Sequence, residues 1–336
     1  MSNSYDPASL LMIALLLLLL LPVAAVPEQE AFVFAYFKGN GGSGLQLAYS
    51  SDGLTWHALN NGNSLLKPTV GRDKLMRDPH ITLGPDGLYH MVWTSSWTEP
   101  VIGYASSRDL INWSEQRGLT PMAHEPGARN VWAPETFYDA DTGQYLLFWA
   151  TTIPGRFPET DKQGDNGLNH RMYLTTTKDF KAFTPTRLFY DHGFNVIDAT
   201  IVKEGRRYIM FLKDETRHPV PRKNIRYAVS DRAIGPYGLP SDPITGKYWA
   251  EGPSAIKIDK RWIVYFDKYR DRRYGAVASA DLEQWEDISP DVKFPEGTRH
   301  GTVLRVSDKV LGRLRKLTQP SSSLRVNEIF AGARTK

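Results

Sequence analysis

Four short polar motifs recur along the chain, each about ten residues before an aromatic-rich apolar run. Asp78-Pro79-His80-Ile81 precedes Tyr89-His90-Met91-Val92-Trp93, and Trp132-Ala133-Pro134-Glu135 precedes Tyr145-Leu146-Leu147-Phe148-Trp149. Asp198-Ala199-Thr200-Ile201 precedes Tyr208-Ile209-Met210-Phe211, and Glu251-Gly252-Pro253-Ser254 precedes Trp262-Ile263-Val264-Tyr265-Phe266. A second pattern keeps the same rhythm: a strand ending in small hydroxyl residues, then Asp-x-x-x-aromatic. Its copies start at Asp52, Asp109, Asp179 and Asp281, and a copy two residues longer runs from Asp231 to Tyr237.

A self-similar unit of roughly 40–50 residues with about four short strands is the signature of a propeller blade. No amphipathic helical period of useful length interrupts the pattern, so the expectation is an all-β, five-bladed β-propeller. The first unit, Ala31 to Tyr49, lacks an inner strand, whereas Arg299-His300-Gly301-Thr302-Val303-Leu304-Arg305 is an inner strand without a unit. Pairing the two closes the ring and removes an open sheet edge. The expected organisation is a propeller over residues 28–306 and a C-terminal tail over 307–336. The polar motifs then head the innermost strands, at equivalent positions facing a central channel, and closure brings in His300.

Residues 10–26 form an apolar run broken by Pro22 and ending in Val23-Ala24-Ala25. This reads as a signal peptide over residues 1–25 cleaved after Ala25, although the preceding segment has Asp6 and no Lys or Arg. Seventeen residues including a proline is short for a membrane span, which takes about 20. A secreted or periplasmic monomer with no stable membrane insertion is therefore expected. The absence of cysteine excludes disulfides, thiolate catalysis and Cys-ligated zinc. The net charge of +4 comes from scattered clusters interleaved with acids, which argues against a nucleic-acid partner.

Two carboxylates flanking a glycosidic bond can hydrolyse it, one as a protonated acid and the other ionised. Burial and mutual repulsion in a confined channel push the pKa values of neighbouring acids apart. On Asp-Pro at 78, Ile-Asp at 197–198, Glu-Gly-Pro at 251, Trp-Ala-Pro-Glu at 132 and His-Gly at 300, the chain resembles glycoside hydrolase family 43. The resemblance implies Asp78 as general base, Asp198 as pKa modulator and Glu251 as general acid, in a single displacement with inversion. It also implies that Trp132 lines the sugar pocket. It further implies that His300 lies near the channel centre, as a candidate substrate contact or, as in some members, beside a bound calcium; no cofactor is otherwise required.

Trp97, following Ser95-Ser96 at a strand end, is a candidate rim platform for a sugar ring. Arg171 and Arg299 are candidates either for binding substrate hydroxyls or for partnering the catalytic acids. Loops 151–170 and 213–226 are the expected pocket walls, where specificity resides. The expected substrate is a terminal furanose or pentose residue on an oligo- or polysaccharide, with α-L-arabinofuranosidase first. β-Xylosidase, arabinanase and galactofuranosidase stand as alternatives. Arg77-Asp78-Pro79 also suggests a fructan-cleaving propeller, but the Asn-Asp-Pro and Glu-Cys-Pro motifs such enzymes need are absent. Ser51-Asp52-Gly53-Leu54-Thr55-Trp56 approaches a sialidase box without a locatable arginine cluster. A carbohydrate-binding propeller without turnover is the non-enzymatic alternative.

Overall fold

The computed structural model describes residues 31–318; the expected signal peptide and the end of the chain lie outside the described residues. Five antiparallel sheets form the molecule. The second blade comprises β4 (Arg77–Leu83), β5 (Tyr89–Thr94), β6 (Ile102–Ser107) and β7 (Arg117–Leu119). The third comprises β8 (Trp132–Asp139), β9 (Gln144–Thr152), β10 (His170–Thr177) and β11 (Arg187–Tyr190). The fourth has three strands, β12 (Val196–Glu204), β13 (Arg207–Asp214) and β14 (Asn224–Ser230). The fifth comprises β15 (Glu251–Ile258), β16 (Arg261–Lys268), β17 (Arg273–Ser279) and β18 (Glu286–Asp287).

The first blade is the composite that the unpaired ends require. β1 (Ala31–Tyr36), β2 (Gln46–Ser50) and β3 (His57–Ala58) are completed by β19 (Thr302–Val306). Ala31 faces Val306 and Ala35 faces Thr302 across the seam. The inner strands β4, β8, β12, β15 and β19 each neighbour the next, and β19 returns to β4. The ring is therefore closed, with no sheet edge left at the seam.

Successive residues of a strand point to opposite faces, and here both faces meet another blade. Phe32, Phe34 and Tyr36 pack against the fifth blade, while Ala31, Val33 and Ala35 pack against the second. Five apolar clusters fill the five gaps between blades. This explains runs such as Tyr-Leu-Leu-Phe-Trp, which lack the polar alternation of a half-solvated sheet. The Asp-x-x-x-aromatic segments are structural turns at the ring's periphery. In one, Asp109 Oδ1 accepts from the backbone N–H groups of Ile111 and Asn112, and Ser107 Oγ accepts from Leu110. Leu110, Phe180 and Leu282 take positive φ at the same place in their turns.

The segment following β19 lies outside the repeat, and its described part is ordered. Asp308–Lys316 forms a helix, α1, capped by Ser307 Oγ accepting from the Val310 N–H. Val310, Leu311, Leu314 and Leu317 pack on the cluster between the first and second blades, with Leu314 buried. No helix among the described residues is long and apolar enough to cross a membrane.

Candidate active site

Four inner strands carry a β-bulge at the same place. Arg77 faces Thr94 and His80 faces Val92, so Asp78 and Pro79 together oppose Trp93. The same two-against-one irregularity falls at Ala133-Pro134, Asp198-Ala199 and Gly252-Pro253. The first residue of each bulge has positive φ: 52° at Asp78, 44° at Ala133, 54° at Asp198 and 61° at Gly252. Bulges re-aim side chains next to active sites, and a non-glycine residue in this region is held there by its surroundings.

This register corrects the expectation of three equivalent acids. Asp78 and Asp198 occupy the bulge itself. Glu251 stands one residue earlier, in the position of Arg77, Trp132 and Ile197. Glycine takes the bulge position in the fifth blade because of His300: a Cβ on Gly252 would lie 2.2 Å from the His300 ring. The third acid therefore enters from the preceding position on a longer side chain.

All four pre-bulge residues, both bulge aspartates, Thr94, Trp97, Lys213, Glu215 and His300 line one cavity of about 120 Å³. Two larger grooves, of about 700 and 720 Å³, run between outer blade edges, and neither brings two carboxylates together. At the cavity mouth Trp97 and Trp132 meet edge to face, with ring centres 5.5 Å apart, and Trp132 Nε1 donates to the Trp97 carbonyl. Trp97 is 40% exposed, giving the site an open aromatic wall.

The acids have distinct surroundings. Asp78 Oδ1 lies 3.3 Å from His300 Nδ1, and Asp78 Oδ2 accepts from Thr94 Oγ1 at 2.8 Å. Burial alone would raise the Asp78 pKa, but His300, Arg77 and Thr94 together hold it at about 2. Conversely, burial disfavours the His300 cation, yet Asp78, Asp198 and Glu135 raise its pKa to about 9. Asp198 is buried, accepts the Gly252 N–H at 3.1 Å, and is pushed well above the carboxylate range by desolvation and by Glu251 and Asp78. Glu251 accepts from Lys213 Nζ at 3.2 Å and from Arg299 Nη2 at 3.1 Å. Lys213 also pairs with Glu215 at 2.6 Å, and Arg299 with Asp267 at 2.5 Å.

Arg299 is thus a partner of the acid rather than a hydroxyl binder. Arg171 belongs to neither role, which corrects its assignment to the substrate. Its buried guanidinium bonds Asp191, Asn169, Thr160 and the His170 carbonyl, and stacks on Phe157, pinning the loop before it. No residue of loop 151–170 lines the cavity; it buttresses the wall through His170, whose ring lies 5.0 Å from Trp132.

No group of three or more His or acidic side chains among the described residues could hold a metal ion.

Lys213, Asp267 and Thr94 were not legible as site residues from the motifs. They sit opposite the pre-bulge positions: Thr94 faces Arg77, Lys213 faces Ile197 and Asp267 faces Glu251. The signal is a polar residue closing three of the four aromatic runs; in the third blade Ala150 stands opposite Trp132.

The family described as a probable glycosyl hydrolase domain, related to glycoside hydrolase family 43, matches residues 28–311. An α-L-arabinofuranosidase of Bifidobacterium longum subsp. longum is 27% identical over 263 residues, 66% of this chain. The match spans about a quarter (24%) of that protein's length. Among solved structures, the exo-β-1,3-galactanase of Phanerochaete chrysosporium superposes with a TM-score of 0.56 at 14% identity, over 77% of this chain and 60% of that one. A thermostable family-43 glycoside hydrolase gives 0.51 at 17% identity, over 67% and 78%. The catalytic domain of a Coprinopsis cinerea family-62 α-L-arabinofuranosidase gives 0.51 at 15%, over 70% and 74%. These likenesses establish a common fold. Matched along nearly all of its propeller, the chain belongs to the glycosyl hydrolase family related to family 43.

Proposed function

We propose that the protein is an inverting glycoside hydrolase that removes terminal furanose or pentose residues, with α-L-arabinofuranose as the first substrate. The observation that carries this reading is the convergence of Asp78, Asp198 and Glu251 on one cavity beneath two tryptophans. The cavity of about 120 Å³ is far smaller than the outer grooves of about 700 and 720 Å³, and its small size supports exo action on a single terminal ring. The sugar named for the Bifidobacterium relative supports the choice of substrate.

Glu251 donates a proton to the glycosidic oxygen as the bond to the anomeric carbon breaks. Asp78 takes a proton from the water that attacks the opposite face. His300 keeps Asp78 ionised, so the base form is present throughout the working range. Lys213 and Arg299 are each shared between Glu251 and a second acid, Glu215 or Asp267. When Glu251 takes up a proton, neither cation is left buried without a partner, which would be costly. Asp198 accepts the Gly252 N–H and so orients the strand that carries Glu251.

The same reading places the protein outside the cytoplasm, acting as a monomer, supported by the leader-like residues 1–25 and the cysteine-free sequence. The test is a panel of aryl α-L-arabinofuranosides, β-xylosides, galactofuranosides and arabinan, assayed with wild type and Glu251→Gln. Wild type is expected to cleave the arabinofuranoside, and the variant to lose activity on arabinan, whose leaving group needs the proton. Oligosaccharide binding with no hydrolysis of any substrate would make the protein a binding module instead.

A further inference from the structure

We propose that Arg77 is the specificity-determining side chain of the cavity, reading adjacent hydroxyl groups of the bound sugar ring; this rests on the glycosidase reading above. Three cations line the cavity: Arg77, Lys213 and His300. Lys213 is held by Glu215 and Glu251, and His300 by Asp78. Arg77 acts on Asp78 through its charge but forms no ion pair with any acid among the described residues. Of its five N–H donors, one hydrogen bond is made, from Nη1 to Asn40 Oδ1 at 3.2 Å.

The guanidinium is nevertheless held in place. It stacks on Phe37 and on Trp97, its central carbon 4.6 and 4.3 Å from the two ring centres. Gly41, at φ +88°, makes room for the side chain, since a Cβ there would lie 2.8 Å from Arg77 Cγ. Residues from the β1–β2 loop and the β5–β6 loop thus fix a planar fork at the rim, its remaining donors uncommitted. A stacked arginine of this kind loses little freedom on forming paired hydrogen bonds, which suits a vicinal diol.

Its register adds a second argument. Arg77 takes the pre-bulge position, which on the other strands supplies Trp132, Ile197 and Glu251 to the same wall. It is adjacent in sequence to the base Asp78, placing it beside the ring being attacked rather than beside the leaving group. A site built to bond a hydroxyl rejects the analogue that lacks it, because its own donors are left unpaired.

The experiment titrates Glu251→Gln and the double variant Arg77→Met, Glu251→Gln with methyl α-L-arabinofuranoside and its 2-, 3- and 5-deoxy analogues, by calorimetry. Methionine keeps an apolar side chain between Phe37 and Trp97 while removing the donors. The parent glycoside should bind at least 10-fold more weakly to the double variant, while the 2- and 3-deoxy analogues, each lacking one hydroxyl of the pair, bind both proteins within about threefold. Arg77→Lys should restore little, lacking the fork. Equal losses for all four ligands, or no loss for the parent, would overturn the proposal, because a residue that only braces Trp97 treats them alike. If the furanosides do not bind but a methyl β-xyloside or galactofuranoside series does, with this same Arg77-dependent pattern, the role of Arg77 stands and the proposed sugar falls. Absence of that pattern in every series removes the role, even where wild type hydrolyses the glycoside.

Discussion

The backbone N–H of Gly252 donates to Asp198 Oδ2 at 3.1 Å, fastening the buried acid of one blade to the residue that follows Glu251 on the next. Because Asp198 is pushed above its ordinary pKa, the folded state keeps its proton to higher pH than the unfolded chain does. Stability from this group therefore falls as pH rises beyond the unfolded value of about 3.8. Asp198→Asn retains an oxygen acceptor for Gly252 and cannot ionise. Its melting temperature should match wild type at pH 4 and exceed it at pH 8. A lower melting temperature at pH 8 would contradict the assignment.

His300 and Asp78 make an opposite contribution at each end of the scale. The pKa of Asp78 is depressed to about 2, so its stabilisation is present above about 3.8 and is lost as pH falls through 2. The pKa of His300 is raised to about 9, so its stabilisation is complete below about 6.5 and is lost as pH rises through 9. Both are intact between pH 4 and 6.5. Melting curves of His300→Gln should lose the alkaline decline between pH 6.5 and 9 that wild type shows; a variant with an unchanged slope would dissolve the pair.

Glu251→Gln tests the acid without stranding its neighbours. Lys213 keeps Glu215 and Arg299 keeps Asp267, so the stability cost should be about 1 kcal/mol or less. Turnover of glycosides with poor leaving groups should drop ~10³-fold, and aryl glycosides with acidic phenols should suffer much less. A loss independent of the leaving group would remove Glu251 from the acid role.

Arg171 should matter for folding and not for chemistry. Its guanidinium is fully buried in hydrogen bonds that hold loop 151–170, while Asp191 keeps some solvent. Arg171→Met should cost about 3 kcal/mol in chemical denaturation and leave KM unchanged within about twofold. A raised KM with unchanged stability would return Arg171 to the substrate.

The ring and its seam were readable because each blade repeats its aromatic run and because both chain ends were incomplete units. The register of the acids was not. A bulge is written in φ rather than in composition, so Glu251 looked equivalent to Asp78 and Asp198 when it stands one residue earlier. Arg171 was misplaced because β10 is buried on both faces, and alternation could not tell which neighbour it meets. Lys213 looked like the start of a loop, since a lysine after an apolar run is ordinarily solvated. The helix α1 had a visible signal in Ser307 followed by Val310, Leu311, Leu314 and Leu317 at helical spacing, and lay beyond the repeat that had drawn attention.

The stereochemistry of the first-formed product tests the central claim most directly. Proton NMR during hydrolysis of p-nitrophenyl α-L-arabinofuranoside should show β-L-arabinose appearing first and then mutarotating, as direct attack by an Asp78-activated water requires. Initial appearance of the α-anomer would mean a covalent intermediate and would contradict the roles given to Asp78 and Glu251.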